Sequence, residues 1–151
     1  MKIVTYNNGS IEKTLKIENF FRINIPKDYK DFLIKSNGCN IEDAYLYVKE
    51  LNEYMLMSNF FGIDIKIGFA DISKINIEYA DDIPEESLLI GSDAGNGLLL
   101  LVNDGINNGV WYYDHSYFFP NSSDENNTYF ICETFLELFE TIKTTVLPQK
   151  K

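Results

Sequence analysis

The sequence predicts an α+β fold: one domain over residues 1–151, a central and mainly antiparallel sheet with N- and C-terminal helices packed on it. Three observations predict it. Helical periodicity appears towards both ends, in "IPKDYKDFLIKSNG" and "ETFLELFETIKTTV". Between them lie short aromatic and aliphatic runs divided by turn residues. The chain is also 45% hydrophobic and 15% aromatic, enough at 151 residues to close one core.

Taken in order, Ile11, Leu15, Phe20 and Phe21 suggest an amphipathic helix, with a strand from Lys2 as the alternative. In "IPKDYKDFLIKSNG", Pro26 suits a first helical position. Tyr29, Phe32 and Leu33 then form an i, i+3, i+4 stripe, and Gly38 supplies a left-handed stop. From Ala44 the pattern turns β-like in "AYLYV" and "YMLMSNFFGI". "ADISKINIEYA" returns to helix, with Ile72, Ile75 and Tyr79 on one face. "DDIPEESLLIGSDAGNGLLLLVND" and "NNGVWYYDHS" read as a three-stranded meander with turns at Ser92–Asn96 and Asp104–Gly109. "PNSSDENNT" is an exposed loop. Thr134 and Glu137 then form a T-x-x-E capping box, followed by Phe135, Leu138, Phe139, Ile142 and Val146 along one face. The helices are expected to cover one side of the sheet.

Charge narrows the choice of partners. The formal net charge is −10, unevenly spread. Residues 1–50 carry eight Lys/Arg against seven Asp/Glu, whereas residues 51–140 carry two against sixteen, a net of −14. Nucleic acid and anionic membranes need clustered cations to displace counterions, so neither is an expected partner; a basic protein is. The longest apolar run, Leu98–Val102, is far short of the ~20 residues that span a bilayer. With no secretion signal visible in "MKIVTYNNGS", the protein is read as cytoplasmic, and the N-x-S/T triplets at Asn8, Asn121 and Asn126 then carry no glycan. Cys39 and Cys132 lack CxxC partners and read as buried free thiols.

Three places merit a chemical reading. In "IGSDAGNGLLLL" the glycines Gly91, Gly95 and Gly97 could cradle phosphate, but neither the P-loop lysine nor the G-x-G-x-x-G spacing is present, and "LLLLV" follows where a helix N-terminus would be needed. The stretch reads as a hairpin in which Gly95 and Gly97 admit positive φ or a bulge, with Asp93 accepting bonds from the turn's own backbone. In "VWYYDHSYFF", Asp114 adjoins His115, the only histidine, yet neighbours on a strand point to opposite faces. His115 therefore reads as bonding a nearby carbonyl or packing under Trp111. An enzyme built on Asp93, Asp114 and His115 would require all three to converge on an open pocket. Lastly, Glu78, Asp81, Asp82, Glu85 and Glu86 form an acidic edge, either simply solvated or a docking patch for a basic partner. No cofactor or metal site is expected.

The blocks "INIPKDYKDFLIKSNG", "IPEESLLIGSDAGNGLLLLV" and "GVWYYDH…ICETFLELFETI", in that order, resemble the SUKH superfamily, the Smi/Knr cell-wall-assembly-regulator-like proteins. The likeness runs from about residue 11 to 143. It rests on Pro26, Tyr29, Phe32, Leu33, Gly38, Gly91, Asp93, Gly95, Gly97, Val110, Asp114, His115, Thr134 and Phe135, which it implies are structural. The sequence departs at Asn96 and Leu98, where glycine and aspartate are common, and in the less regular helix before Pro26. The resemblance implies an α+β fold without catalytic activity. In bacteria it implies mostly immunity proteins that bind and neutralise polymorphic toxins, many of them nucleases. Fungal relatives are linked to regulation of cell-wall synthesis, and a regulatory or scaffolding module is the alternative expectation.

Overall fold

Every residue of Leu98–Val102 is buried, so the strand it forms has cover on both faces. Around it the computed structural model, which describes residues 1–149, builds an eight-stranded antiparallel sheet. Lys150 and Lys151, part of the basic tail, lie outside the described residues. The strands are β1 (Lys2–Thr5), β2 (Cys39–Glu42), β3 (Tyr45–Val48), β4 (Glu53–Phe60), β5 (Ser87–Asp93), β6 (Leu98–Val102), β7 (Gly109–Tyr113) and β8 (Thr128–Cys132). The order across the sheet is β1-β2-β4-β5-β6-β7-β8. One edge of β4 is shared: its N-terminal half pairs with β3 through Val48 and Glu53, and its far end pairs with β2 through Cys39 and Phe60. Register shifts at Met57/Asn59, Leu89/Gly91 and Val110/Trp111 bend the strands.

Four α-helices complete the domain: α1 (Ile11–Phe21), α2 (Lys27–Ser36), α3 (Ile72–Glu78) and α4 (Phe135–Thr144). The register sorts the sheet into two faces. Phe60, Leu99 and Tyr112 share one of them, on which α2 and α4 pack. There Phe135 sits 5.0 Å from Tyr29, 4.9 Å from Phe32 and 5.3 Å from Phe60, ring centre to ring centre. Such aromatic pairs add about 0.5–1.5 kcal/mol each beyond the area they bury. The other face carries Asn59, Ser92, Leu98 and Tyr113, and α3 lies over part of it. The helices therefore do not all cover one side. α3 is spliced into the sheet by Asn76, buried, whose Nδ2 donates to Leu89 O and whose Oδ1 accepts from Leu89 N at 2.7 Å. The next residue, Ile90, is the one that the shift at Leu89/Gly91 leaves out of the β5–β6 register, and its carbonyl accepts from Phe61 N.

Both a strand from Lys2 and a helix from Ile11 form. However, α1 buries Thr14 and Ile17, not the expected stripe: Ile11 is 63% and Phe20 67% exposed, and Leu15 is exposed as well. Its N-cap is Ser10, whose hydroxyl accepts from Lys13 N. In α2, Pro26 occupies the N-cap position without a side-chain cap, and Tyr29 and Leu33 are fully buried. The stop is shared by Asn37 (φ 45°) and Gly38 (φ 81°). Only glycine fits the second place, because a Cβ at Gly38 would lie 2.7 Å from the Phe61 carbonyl. In α4, Thr134 caps Glu137 N as expected, but the Glu137 carboxylate accepts from Glu133 N, so the box closes one residue early. The helix ends at Thr144, which leaves Val146 81% exposed instead of on the buried face.

One buried side-chain polar atom has no partner among the described residues: the Tyr29 hydroxyl, on a side chain wholly out of water. A hydroxyl in that position bears its desolvation cost uncompensated. Tyr29→Phe is therefore expected to stabilise the domain by about 1 kcal/mol. Urea unfolding checks this: the midpoint should rise with the m-value unchanged.

Candidate functional site

The glycine turn is held from within. Asp93, at the end of β5, accepts from Gly95 N and Gly97 N with one carboxylate oxygen (2.8 Å each) and from the Tyr112 hydroxyl with the other (2.5 Å). Ala94 N donates to Leu56 O. The amides a phosphate would need are thus already engaged. The left-handed residue of the turn is Asn96 (φ 70°), whereas Gly95 and Gly97 are not left-handed. Gly97 is required for space instead, since a Cβ there would collide with the Tyr112 hydroxyl. The bulge expected of this turn sits earlier, at Leu89/Gly91, where a Cβ on Gly91 would lie 2.7 Å from Asn59 O.

Asp114, 2% exposed, plays the same part for the next loop. Its carboxylate accepts from Phe118 N, Phe119 N and the Ser122 hydroxyl, at 3.0, 3.0 and 2.6 Å. Ser122 also meets the Tyr129 hydroxyl at 2.7 Å. His115 points to the opposite face of the sheet. Its Nε2–H donates to Asn96 O at 2.6 Å, which leaves Nδ1 to accept from the Tyr79 hydroxyl at 3.4 Å. The ring stacks edge-on with Tyr79 and Tyr113, at 5.1 and 5.9 Å, and not under Trp111. Asp93 and Asp114 do share a small cleft beside Tyr112, but His115 is absent from it. The convergence an Asp93–Asp114–His115 enzyme would need is not present. Val110, buried at the pairing with Cys132, and Thr134 and Phe135, which start α4, are likewise packing and capping positions.

The acidic edge has a different character. Glu78, Asp81, Asp82, Glu85 and Glu86 are all exposed along the end of α3 and its connection to β5. Among the described residues none of the five forms an ion pair. Burial pushes the Tyr79 phenol above its ordinary value, and the Glu78 and Asp82 charges push it further. This edge borders a cleft of 320 Å³ on the face of β6, β7 and β8 that α2 and α4 leave open. Leu100, Val102, Trp111 and Tyr113 line it, with Asp82 and Asp104 at the sides. Trp111 is fixed by its indole N–H, which donates to Asn107 O, and by the edge-on ring of Phe130. Sequence reading did not find this cleft, although period-two alternation does place Trp111 and Tyr113 on one face. A second, larger groove of 710 Å³ runs between α1 and α3, past Ile17, Phe20, Ile63 and Ile77, with Lys13 and Asp64 paired across it at 3.1 Å. No helix among the described residues is long and apolar enough to cross a membrane, and no group of three or more His, Cys, Asp or Glu is placed to hold a metal ion.

A single α+β domain on a bent antiparallel sheet, with its buried carboxylates bracing turns and its free ones gathered at an edge, is the class these features define. The SMI1 / KNR4 family (SUKH-1) model matches residues 9–141, and the chain belongs to that family. No curated protein matches the chain significantly. The matched span takes in the first two blocks of the resemblance whole and the third as far as Thr141, one residue short of its end.

Proposed function

We propose that the protein is a non-enzymatic immunity protein that neutralises a basic toxin, a nuclease, by stoichiometric binding in the cytoplasm. The observation that carries this reading is the acidic edge, Glu78 to Glu86, exposed and without an ion pair among the described residues, in a SUKH-1 domain. Nuclease domains grip phosphate with clustered cations, and an inhibitor of opposite charge is steered onto them. A cytoplasmic setting is supported by Cys39 and Cys132, both buried and unbonded to each other. That Asp93 and Asp114 are engaged in their own loops supports a binding role over catalysis.

The test is capture of toxin domains from the same genome, followed by association kinetics. Reversing Asp81, Asp82, Glu85 and Glu86 to Lys should slow association at least about tenfold at low salt, with the difference shrinking as salt rises. An unchanged on-rate would remove the acidic edge from the interface. Capture of a cell-wall synthesis enzyme and no toxin would favour the regulatory alternative.

A further inference from the structure

The cleft between the acidic edge and the open sheet face differs in charge from four other clefts of the molecule. The α1–α3 groove carries Lys13 and Lys16, and the cleft by the glycine turn carries Lys74 and His115. A shallow groove beside Glu85 carries Arg22, and the acids of the cleft beside Tyr112 already hold their own loops. Among the described residues, the β6–β8 cleft is lined by two aspartates and by no Lys, Arg or His. The Asp82 carboxylate has no hydrogen-bond or ion-pair partner among the described residues, and Asp104 uses a single oxygen, Oδ1, to hold Ile106 N and Asn107 N. Tyr113 is only 6% exposed, and its ring forms part of the cleft's lining. The Tyr113 phenol is pushed up by burial and then by Asp82, so a carboxylate acts on the aliphatic and aromatic floor of a cleft that Asn107, Asn127 and Thr128 also line.

We propose that this cleft is a socket for one arginine side chain of the partner, its guanidinium between Asp82 and Asp104 and its stem against Trp111 and Tyr113. The proposal takes from the reading above only that the partner is basic. Arginine fits better than lysine for a physical reason. A guanidinium is planar and weakly hydrated, so it enters an aromatic-walled site and still offers five donors to separate acceptors. An ammonium is compact and strongly hydrated, and an apolar floor strips its water without replacing it.

Trp111 is the only tryptophan, so its fluorescence reports on this cleft alone. Titrating the full chain with N-acetylarginine amide at low salt should shift that emission saturably, with Kd on the order of 1 mM. N-acetyllysine amide should bind at least about fivefold more weakly. Asp82→Asn should weaken the arginine response at least about fivefold, and Asp81→Asn, outside the cleft, less than about twofold. An absent response, equal responses to the two amides, or equal effects of the two variants overturns the socket. Toxin capture without an arginine response likewise sinks the socket and leaves the immunity reading standing; an arginine response without toxin capture does the reverse.

Discussion

Asp93→Ala is expected to cost the domain about 3–4 kcal/mol, read as a lower urea midpoint and a melting temperature reduced by roughly 10 °C. The carboxylate holds three donors, and two of the bonds, from Gly97 N and the Tyr112 hydroxyl, are buried. Alanine leaves both donors without an acceptor, and hydrogen bonds to a charged acceptor are worth about 1.5–3 kcal/mol each. Against a total stability of about 5–15 kcal/mol that is a large share. Asp93→Asn should cost about 1 kcal/mol, because an amide oxygen can still accept from both glycines while its nitrogen donates to Tyr112. Tyr112→Phe on its own should cost about 2 kcal/mol, and the Asp93→Ala/Tyr112→Phe pair clearly less than the two single losses added. Once Asp93 is gone the phenol is already unpaired, so deleting it removes a burden. Strict additivity would show that the two groups do not act as one network.

This network marks how far the sequence could be read. Asp93 was legible as a turn acceptor because an aspartate beside Gly95 and Gly97 has backbone donors within local reach. Its bond to Tyr112 was not, since that partner lies 19 residues away on β7. The same limit recurs elsewhere. α4 was plain because Thr134 and the spacing of Phe135, Leu138 and Ile142 are local signals. In α1 apolar residues lie on more than one face, and its neighbours decide which is buried; Thr14 and Ile17 won over Ile11 and Leu15. β2, four residues reading "CNIE", alternates apolar and polar, with Cys39 and Ile41 buried, but so short a run is ambiguous alone and is held as a strand by β1 and β4 on either side. The arginine socket brings Asp82 and Asp104 from two separate connections onto one sheet face, a juxtaposition only the tertiary fold creates.

Alkaline pH should unfold the domain cooperatively, beginning above about pH 9, where free thiols ordinarily ionise. Burial pushes the Cys39 thiol up to about 11. Burial, and then the Glu137 carboxylate, push Cys132 up to about 12. The Tyr29 phenol is raised far beyond its ordinary value by burial, and that of Tyr112 by burial and by its bond to Asp93. All four groups hold their protons more tightly when folded. Their contribution is therefore fully present below the ordinary thiol value and is lost as pH rises towards the folded ones. In that window the unfolded chain releases protons that the folded chain cannot, at roughly 1.4 kcal/mol per pH unit for each group. Two thiols alone would remove several kcal/mol by about pH 11, and the phenols add to this above about pH 10. Tyrosinate absorbance should then appear with the loss of near-UV circular dichroism, in one transition. The net charge of −10 also grows with pH and works in the same direction, so a control must separate the two. A Cys39→Ala/Cys132→Ala variant keeps the surface charge and should begin to unfold at higher pH than the parent, whatever its stability at neutral pH. An onset that does not move would assign alkaline unfolding to surface repulsion and the phenols, and remove the buried thiols from the account.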